Sequence, residues 1–253
     1  MNVIELLKKT RIALTPRSSL LKSVLSNGAI VYGKNRAGYG GRGIYIWGDS
    51  LEPELAHLHN FLDTNDVVLD IGANTGVYTV KAAKHVGAQG LVIAVEPNIE
   101  ILDVLSLSVK ANGFGNVRLR NLCIGRQTQA RTLWMNRGGP NSFSIAMRDD
   151  DSTSLSVLAV TLDDLCRWEA ISRLDYLKID VEGAEEEVFS GGKETIKRFR
   201  PMIQVETNKK IFPLELPEYS SFQTKRSPNK IIIPNESDKI EVAFRLGWQR
   251  MPS

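Results

Sequence analysis

At 253 residues, with 42% apolar and 24% charged, the chain can bury one substantial core and has the balance of an ordinary globular protein. A net charge of +3, spread along the chain apart from a modest amino-terminal excess, gives no case for a nucleic-acid partner. Cys123 and Cys166 are far apart and lack a His cluster. They suit reduced thiols in a cytoplasmic protein rather than a disulfide frame or a zinc site.

No apolar stretch approaches the roughly 18–20 residues that cross a bilayer, so no transmembrane segment is expected. In MNVIELLKKTRIAL, Lys8, Lys9 and Arg11 interrupt what a signal peptide would need as its apolar core. Val3, Leu7 and Leu14, with Ile4 and Leu6, instead make the stripe of an amphipathic helix with cations on its other side. Packing of that stripe against the domain is the expectation, and a membrane-surface or partner helix the alternative. Residues 28–48 alternate apolar positions (Ile30, Tyr32; Ile44, Ile46) about a glycine-rich loop at 38–43, which predicts a hairpin. Residues 1–50 thus read as a helix-and-hairpin extension, and 51–253 as one domain.

Leu51, Leu55, Leu58 and Leu62 carry helical spacing, with Pro53 suited to a first turn. A strand at 66–71 and a helix at 75–87 follow, then a strand at 91–96, a helix at 99–112 and a strand at 117–122. Strands at 131–135 and 157–161 flank a polar insertion, 136–156. The alternation resumes with a strand at 175–181, a helix at 184–199 and a strand at 202–206 that ends in Glu206. Beyond it only a strand at 230–233 and a helix at 237–248 stand out. Repeated βα order predicts a mostly parallel sheet with right-handed crossovers and helices on both faces.

The chemistry concentrates in VVLDIGANTG, residues 67–76. An apolar run ends at Asp70, and a turn with Gly72 and Gly76 leads into a helix. Twenty residues past Gly76, at the end of the next apolar run, stands Glu96. Strand, glycine turn, helix, strand, acid is the layout of a nucleoside-cofactor site at the carboxyl edge of a parallel sheet. No GxxxxGK[ST] is present, and G-x-x-x-G is not the GxGxxG of NAD. A carboxylate ahead of the turn repels pyrophosphate but suits an ammonium. S-adenosylmethionine fits: its amino group can reach Asp70, its carboxylate the N–H groups of the turn, and its ribose diol Glu96. Ala73, Asn74 and Pro97 flank those positions. A strand-end acid with a tight turn is the bland reading.

Lys178-Ile179-Asp180-Val181-Glu182-Gly183 closes the strand expected beside the first. Alternation puts Lys178 and Asp180 on one face, with Asp180 opening onto the same crevice. An acid there can favour a sulfonium, orient a hydroxyl or take its proton; it can also merely cap the next helix.

Together these residues resemble the FkbM family of S-adenosylmethionine-dependent methyltransferases. The stretches VVLDIGANTGVYT (67–79), VIAVEPN (92–98), NVRLRNLCIG (116–125), VTLDDL (160–165), LKIDVEGAE (177–185) and RPMIQVE (200–206) carry the resemblance, preceded by GGRGIYIWGDSLEPE (40–54). It implies a Rossmann-like class I methyltransferase fold with a seven-stranded sheet. It also implies cofactor contacts from Asp70, Gly72, Asn74, Gly76, Tyr78 and Glu96, Asp180 near the transferred methyl, and O-methylation of a sugar or secondary-metabolite hydroxyl. Relatives usually continue into a closing antiparallel strand pair, whereas this chain stops soon after Gly247-Trp248.

The resulting expectation is an O-methyltransferase with Asp180 as base or orienting group, Glu182 as helper and Lys178 beside them. Glu206 and Arg42 are candidates for the acceptor side, Arg42 equally for pinning its own loop. A cofactor-binding protein without catalysis and an NAD-dependent dehydrogenase are the rivals. No metal is expected from His57 and His59, which point different ways on a helix, nor from Asp149-Asp150-Asp151, which reads as a solvated turn. Trp134 and Phe143 read as core, or as part of a lid. The acceptor's identity and the oligomeric state are not set by these residues.

Overall fold

The computed structural model describes residues 3–37, 40–135, 143–144, 154–206, 216–224 and 227–252. In chain order come α1 (Val3–Leu14), β1 (Leu20–Val24), β2 (Ile30–Lys34), α2 (Gly41–Trp47) and α3 (Pro53–His57), the last bracketed by 3-10 turns at Gly48–Leu51 and Leu58–Asn60. The first βα half of the sheet is β3 (Val67–Ile71), α4 (Val77–Val86), β4 (Leu91–Val95), α5 (Ile99–Asn112) and β5 (Val117–Arg120). Four strands intervene: β6 (Cys123–Ile124), β7 (Gln129–Met135), β8 (Phe143–Ser144) and β9 (Ser154–Val160). Then follow α6 (Leu162–Trp168), β10 (Tyr176–Ile179), α7 (Glu185–Ser190), α8 (Lys193–Phe199), β11 (Met202–Glu206), β12 (Tyr219–Gln223), β13 (Asn229–Pro234), α9 (Lys239–Arg245) and β14 (Gln249–Arg250).

Among the described residues the main sheet has eight strands in the order β14-β12-β13-β11-β10-β3-β4-β5. β11, β10, β3, β4 and β5 run parallel, while β13, β12 and the two-residue β14 add in antiparallel fashion. This is the Rossmann-like sheet expected from the sequence, seven strands plus the short β14. The near-continuous apolar runs of β3, β4 and β10 follow from burial on both faces. One face packs on α4 and the β1–β2 hairpin through Leu55, Leu58, Val68, Tyr78 and Val80. The other meets α6, α7 and α8 through Leu69, Ile71, Leu162, Val188 and Ile203.

Several local expectations are corrected. The hairpin is β1–β2, not residues 28–48: the segment holding Ile44 and Ile46 is α2. Its glycines serve contact rather than a hairpin loop, since a Cβ on Gly33 would fall 2.2 Å from the Gly41 Cα. The helix expected over 184–199 is two helices. A Cβ at Gly191 would sit 2.2 Å from the Gly125 carbonyl oxygen, and one at Gly192 would sit 2.5 Å from Leu162. The strands expected at 131–135 and 157–161 do form, in a separate four-stranded sheet, β6-β9-β7-β8. The segment holding Leu51 to Leu62 is short α and 3-10 turns rather than one helix. α1 forms as expected, but its apolar stripe faces solvent; Glu5, Lys8 and Ile12 form its inner side. Asp149-Asp150-Asp151 and most of the 136–156 insertion lie outside the described residues.

Candidate active site

β3 and β4 end side by side, with Asp70 paired to Ala94 and Ile71 to Val95. The turn after β3 folds back onto β4, where the Val95 carbonyl accepts from the N–H groups of both Gly72 and Ala73 (3.0 and 2.9 Å). Gly72 takes φ +74°, and a Cβ there would fall 1.8 Å from the Asp180 carbonyl oxygen. Only glycine lets the two strand-end turns meet. Gly76, at φ +83°, is tight against Leu105 of α5 in the same way.

Glu96 is buried one residue past β4. Its carboxylate accepts from the Asn74 and Asn98 N–H groups, both at 2.9 Å. Burial lifts its pKa to about 7 against those two hydrogen bonds, with Lys178 lowering it and Asp70 raising it further. The remaining turn donors are also satisfied within the chain: Thr75 N–H donates to Asn74 Oδ1 and Gly76 N–H to the Ala73 carbonyl. Residues 72–76 therefore shape the site, and their N–H groups do not wait unpaired for a carboxylate as the sequence suggested.

Above these turns opens a cleft with about 750 Å³ of empty space including its mouth. Gly72, Asn74, Glu96 and Pro97 line it together with Asp180 and Glu182. Ile71, Val95, Ile124 and Leu133 make an apolar wall, joined by Cys123 and Arg131. Burial pushes the Cys123 thiol up to about 11, so it is a neutral part of that wall. Arg131 is held in a two-pronged ion pair with Glu187 of α7. No sequence motif marks Arg131, although period-two alternation along the expected strand puts it on one face with Leu133.

The other acids fall into a second layer. Asp70, Lys178 and Gln204 are register partners across β3, β10 and β11. The Asp70 carboxylate is not on the cleft wall. Its Oδ2 accepts from Thr79 Oγ1 at 2.6 Å. Its Oδ1 lies 3.3 Å from Lys178 Nζ, an ion pair without hydrogen-bond alignment. Lys178 Nζ also reaches the Gly72 carbonyl (3.3 Å) and Asp180 Oδ2 (3.4 Å), and stands 5.1 Å from the Tyr78 ring centroid. Burial alone would depress this ammonium; Asp70, Asp180 and Glu52 outweigh it and hold the group charged. Lys178 is a fixed cation, not a base.

Tyr78 lies beneath this layer, donating to Glu52 (2.7 Å) and accepting from Gln204 Nε2 (2.8 Å), which in turn is tied to Tyr176. One step beyond the Ile179–Val205 pair, Asp180 and Glu206 stand side by side at the ends of β10 and β11. Burial and then Asp180 push Glu206 up to about 8. Arg42 lies off the cleft: its guanidinium donates to the side chain and carbonyl of Asn35, both at 3.0 Å, and pins its loop. No cluster of three or more His, Cys, Asp or Glu placed to hold a metal occurs among the described residues.

The methyltransferase FkbM domain model matches residues 70–225, more than half of the chain and all of the strand-end turns just described. The chain belongs to the FkbM methyltransferase family. The cleft has what that family's cofactor, S-adenosylmethionine, needs: Glu96 is a buried carboxylate with acceptor capacity left beside an apolar wall, and Asp180 is a second acid lining the same cleft. A similar curated protein is the 2-O-methyltransferase NoeI of Sinorhizobium fredii, 33% identical over 63 residues, which is 25% of this chain and 26% of that one. The match therefore spans about a quarter of that relative. Among solved structures, methyltransferase FkbM from Methylobacillus flagellatus is similar at TM-score 0.48 and 16% identity, over 76% of this chain and 52% of that one. Fibrillarin from Aeropyrum pernix, with natively bound S-adenosyl-L-methionine, is similar at TM-score 0.42 and 12% identity, over 85% and 98%.

Proposed function

We propose that this FkbM methyltransferase methylates a hydroxyl of a sugar or secondary metabolite. S-adenosylmethionine supplies an electrophilic methyl group on its sulfonium. Glu96 would hold the ribose diol, and Ile71, Val95, Ile124 and Leu133 would sandwich the adenine. Asp180, which lines the cleft where Asp70 does not, would face the cationic end of the cofactor. This reassigns the ammonium contact from Asp70, whose charge is already met by Lys178.

The observation that carries the reading is Asp180 on the cleft wall, its carboxylate 3.4 Å from the Lys178 ammonium and Glu206 beside it on the next strand. A hydroxyl loses its proton late in such a transfer, so a nearby carboxylate suffices as acceptor. Asp180, fixed by Lys178, is the carboxylate that would take that proton, while Glu206 beside it, raised to about 8, already carries its own at neutral pH. Glu182, at φ +53° on the cleft wall, shapes the rim. Most of the acceleration comes from holding acceptor and donor at contact distance. The relative named a 2-O-methyltransferase supports oxygen as the acceptor atom.

Transfer of labelled methyl to glycosides with free hydroxyls tests this. Asp180→Asn should lower the rate by about 100-fold or more while S-adenosylhomocysteine still binds; Glu96→Ala should weaken binding itself. Methylation of amines or thiols but of no hydroxyl, or an undiminished rate in Asp180→Asn, would end the reading.

A further inference from the structure

α1 is mounted inside out. On its inner side the Lys8 ammonium donates to the Ile46 carbonyl at 3.1 Å and stands 5.8 Å from the Tyr45 ring centroid. The fully buried Asn35 donates its side-chain N–H groups to the carbonyls of Ile12 (2.9 Å) and Thr15 (2.8 Å), clamping the last turn, and is itself held by Arg42. The helix is thus fixed by polar bonds. Val3, Leu7 and Leu14, which fall on one face at i, i+4 and i+11, are 73, 64 and 81% exposed, with Ile4 and Leu6 beside them also exposed. Folding leaves this stripe to water, contrary to the usual burial of an amphipathic face.

The charge around it is equally lopsided. Residues 1–22 contain Lys8, Lys9, Arg11, Arg17 and Lys22 against Glu5 alone, a net +4. The chain has 32 cations and 29 anions, so the rest of it carries 27 and 28, a net −1. The protein's positive excess lies entirely in this segment. Arg11 projects next to Leu7 on the wheel, and the half-exposed Trp47 stands beneath the Lys9 ammonium, 5.8 Å from its ring centroid. Aliphatic stripe, flanking cations and a rim tryptophan are what a helix lying in a lipid headgroup layer presents.

We propose that α1 docks the enzyme on an anionic lipid surface, with Val3, Leu7 and Leu14 inserted and the basic side chains at headgroup level. A second copy fits the face less well, because pairing two such segments would bring their cations together. A nucleic acid would leave the five aliphatic side chains unused.

Co-sedimentation of the full chain with phosphatidylglycerol-containing and with pure phosphatidylcholine vesicles tests this. Binding should occur on the anionic vesicles only and fall at high salt. Leu7→Asp should abolish it, and Arg11→Gln should weaken it by about fivefold, the effect of one cation near the surface. Neither residue touches the cleft, so S-adenosylhomocysteine affinity and the denaturation midpoint should stay unchanged, which separates lost docking from lost folding. No sedimentation with anionic vesicles, equal sedimentation with neutral ones, insensitivity to Leu7→Asp, or an α1-dependent dimer in place of lipid binding would each overturn the proposal.

Discussion

Glu96, the proposed anchor of the cofactor's ribose, is also a cost to the fold. Burial raises it to about 7, partly offset by the Asn98 and Asn74 N–H groups. An acid raised in the folded state is more stably protonated there than in the unfolded chain. Its contribution to stability is therefore lost as pH climbs from the ordinary carboxylate range through 7. Ribose hydroxyls donate best to the ionised form, so the cofactor pulls in the opposite direction. One unit below that value only about a tenth of the carboxyls are ionised, and S-adenosylhomocysteine should bind about tenfold more weakly at pH ~6 than at pH ~8. Calorimetry across that interval checks this, with Glu96→Ala expected to be weak and flat; a wild-type affinity independent of pH would refute it. Lys178 is the mirror case. Lys178→Met strands Asp70 as a buried, unpaired charge, and should cost about 3–5 kcal/mol in chemical denaturation. Adding Asp70→Asn should recover part of that loss, which simple loss of packing would not allow.

At the level of elements, the β1–β2 hairpin leans on α5 as well as on its own strand pairing. Asn112, in the last turn of α5, accepts from the Ile30 N–H (2.8 Å) and donates to the Ile30 carbonyl (2.6 Å), standing in for a neighbouring strand. Ser108 Oγ does the same for the Tyr32 N–H. Asn112→Ala should cost about 1–3 kcal/mol by leaving both groups of Ile30 unmet. Amide exchange should accelerate through β2 while β4 stays protected; uniform acceleration would mean the hairpin is not a separate unit. In the sequence Asn112-Gly113 reads only as a helix terminator, which it is, with Gly113 at φ +66°. β3, α4, β4 and α5 were legible because their apolar periodicity is set by burial within each element. The outward turn of α1 was not legible, because its direction is fixed by Asn35 and Ile46, far along the chain. Nor was the retreat of Asp70 from the cleft, which depends on Lys178, more than a hundred residues away. Glu96 and Asp180 were legible as cleft-facing acids because strand end and glycine turn locate them without tertiary information.

Across the whole molecule, the segment after β11 decides whether there is one folding unit or a catalytic sheet with an appendage. The sequence weakens there, and the expected closing strands were in doubt. β13 nevertheless pairs antiparallel with β11, placing Asn229 opposite Glu206 at the rim of the site, and β12 extends the sheet beyond it. Phe222, Ile231, Ile233 and Trp248 join Val68, Tyr78 and Val92 in one buried cluster. Trp248 packs on Phe61 with centroids 4.8 Å apart, its chain turned inward at Gly247, φ +73°. The edge of the sheet and the floor beneath Lys178 thus share a core with the last strands. Trp248→Ala should lower stability by about 3–5 kcal/mol. The transition should remain single and cooperative, with tryptophan fluorescence and far-ultraviolet circular dichroism moving together. An appendage would instead give a small loss, or an early phase that leaves S-adenosylhomocysteine binding intact. Because β11 carries Glu206 on one side and the closing strands on the other, even a partial opening of that edge should release the Asp180–Glu206 pair before the cofactor turn at Gly72.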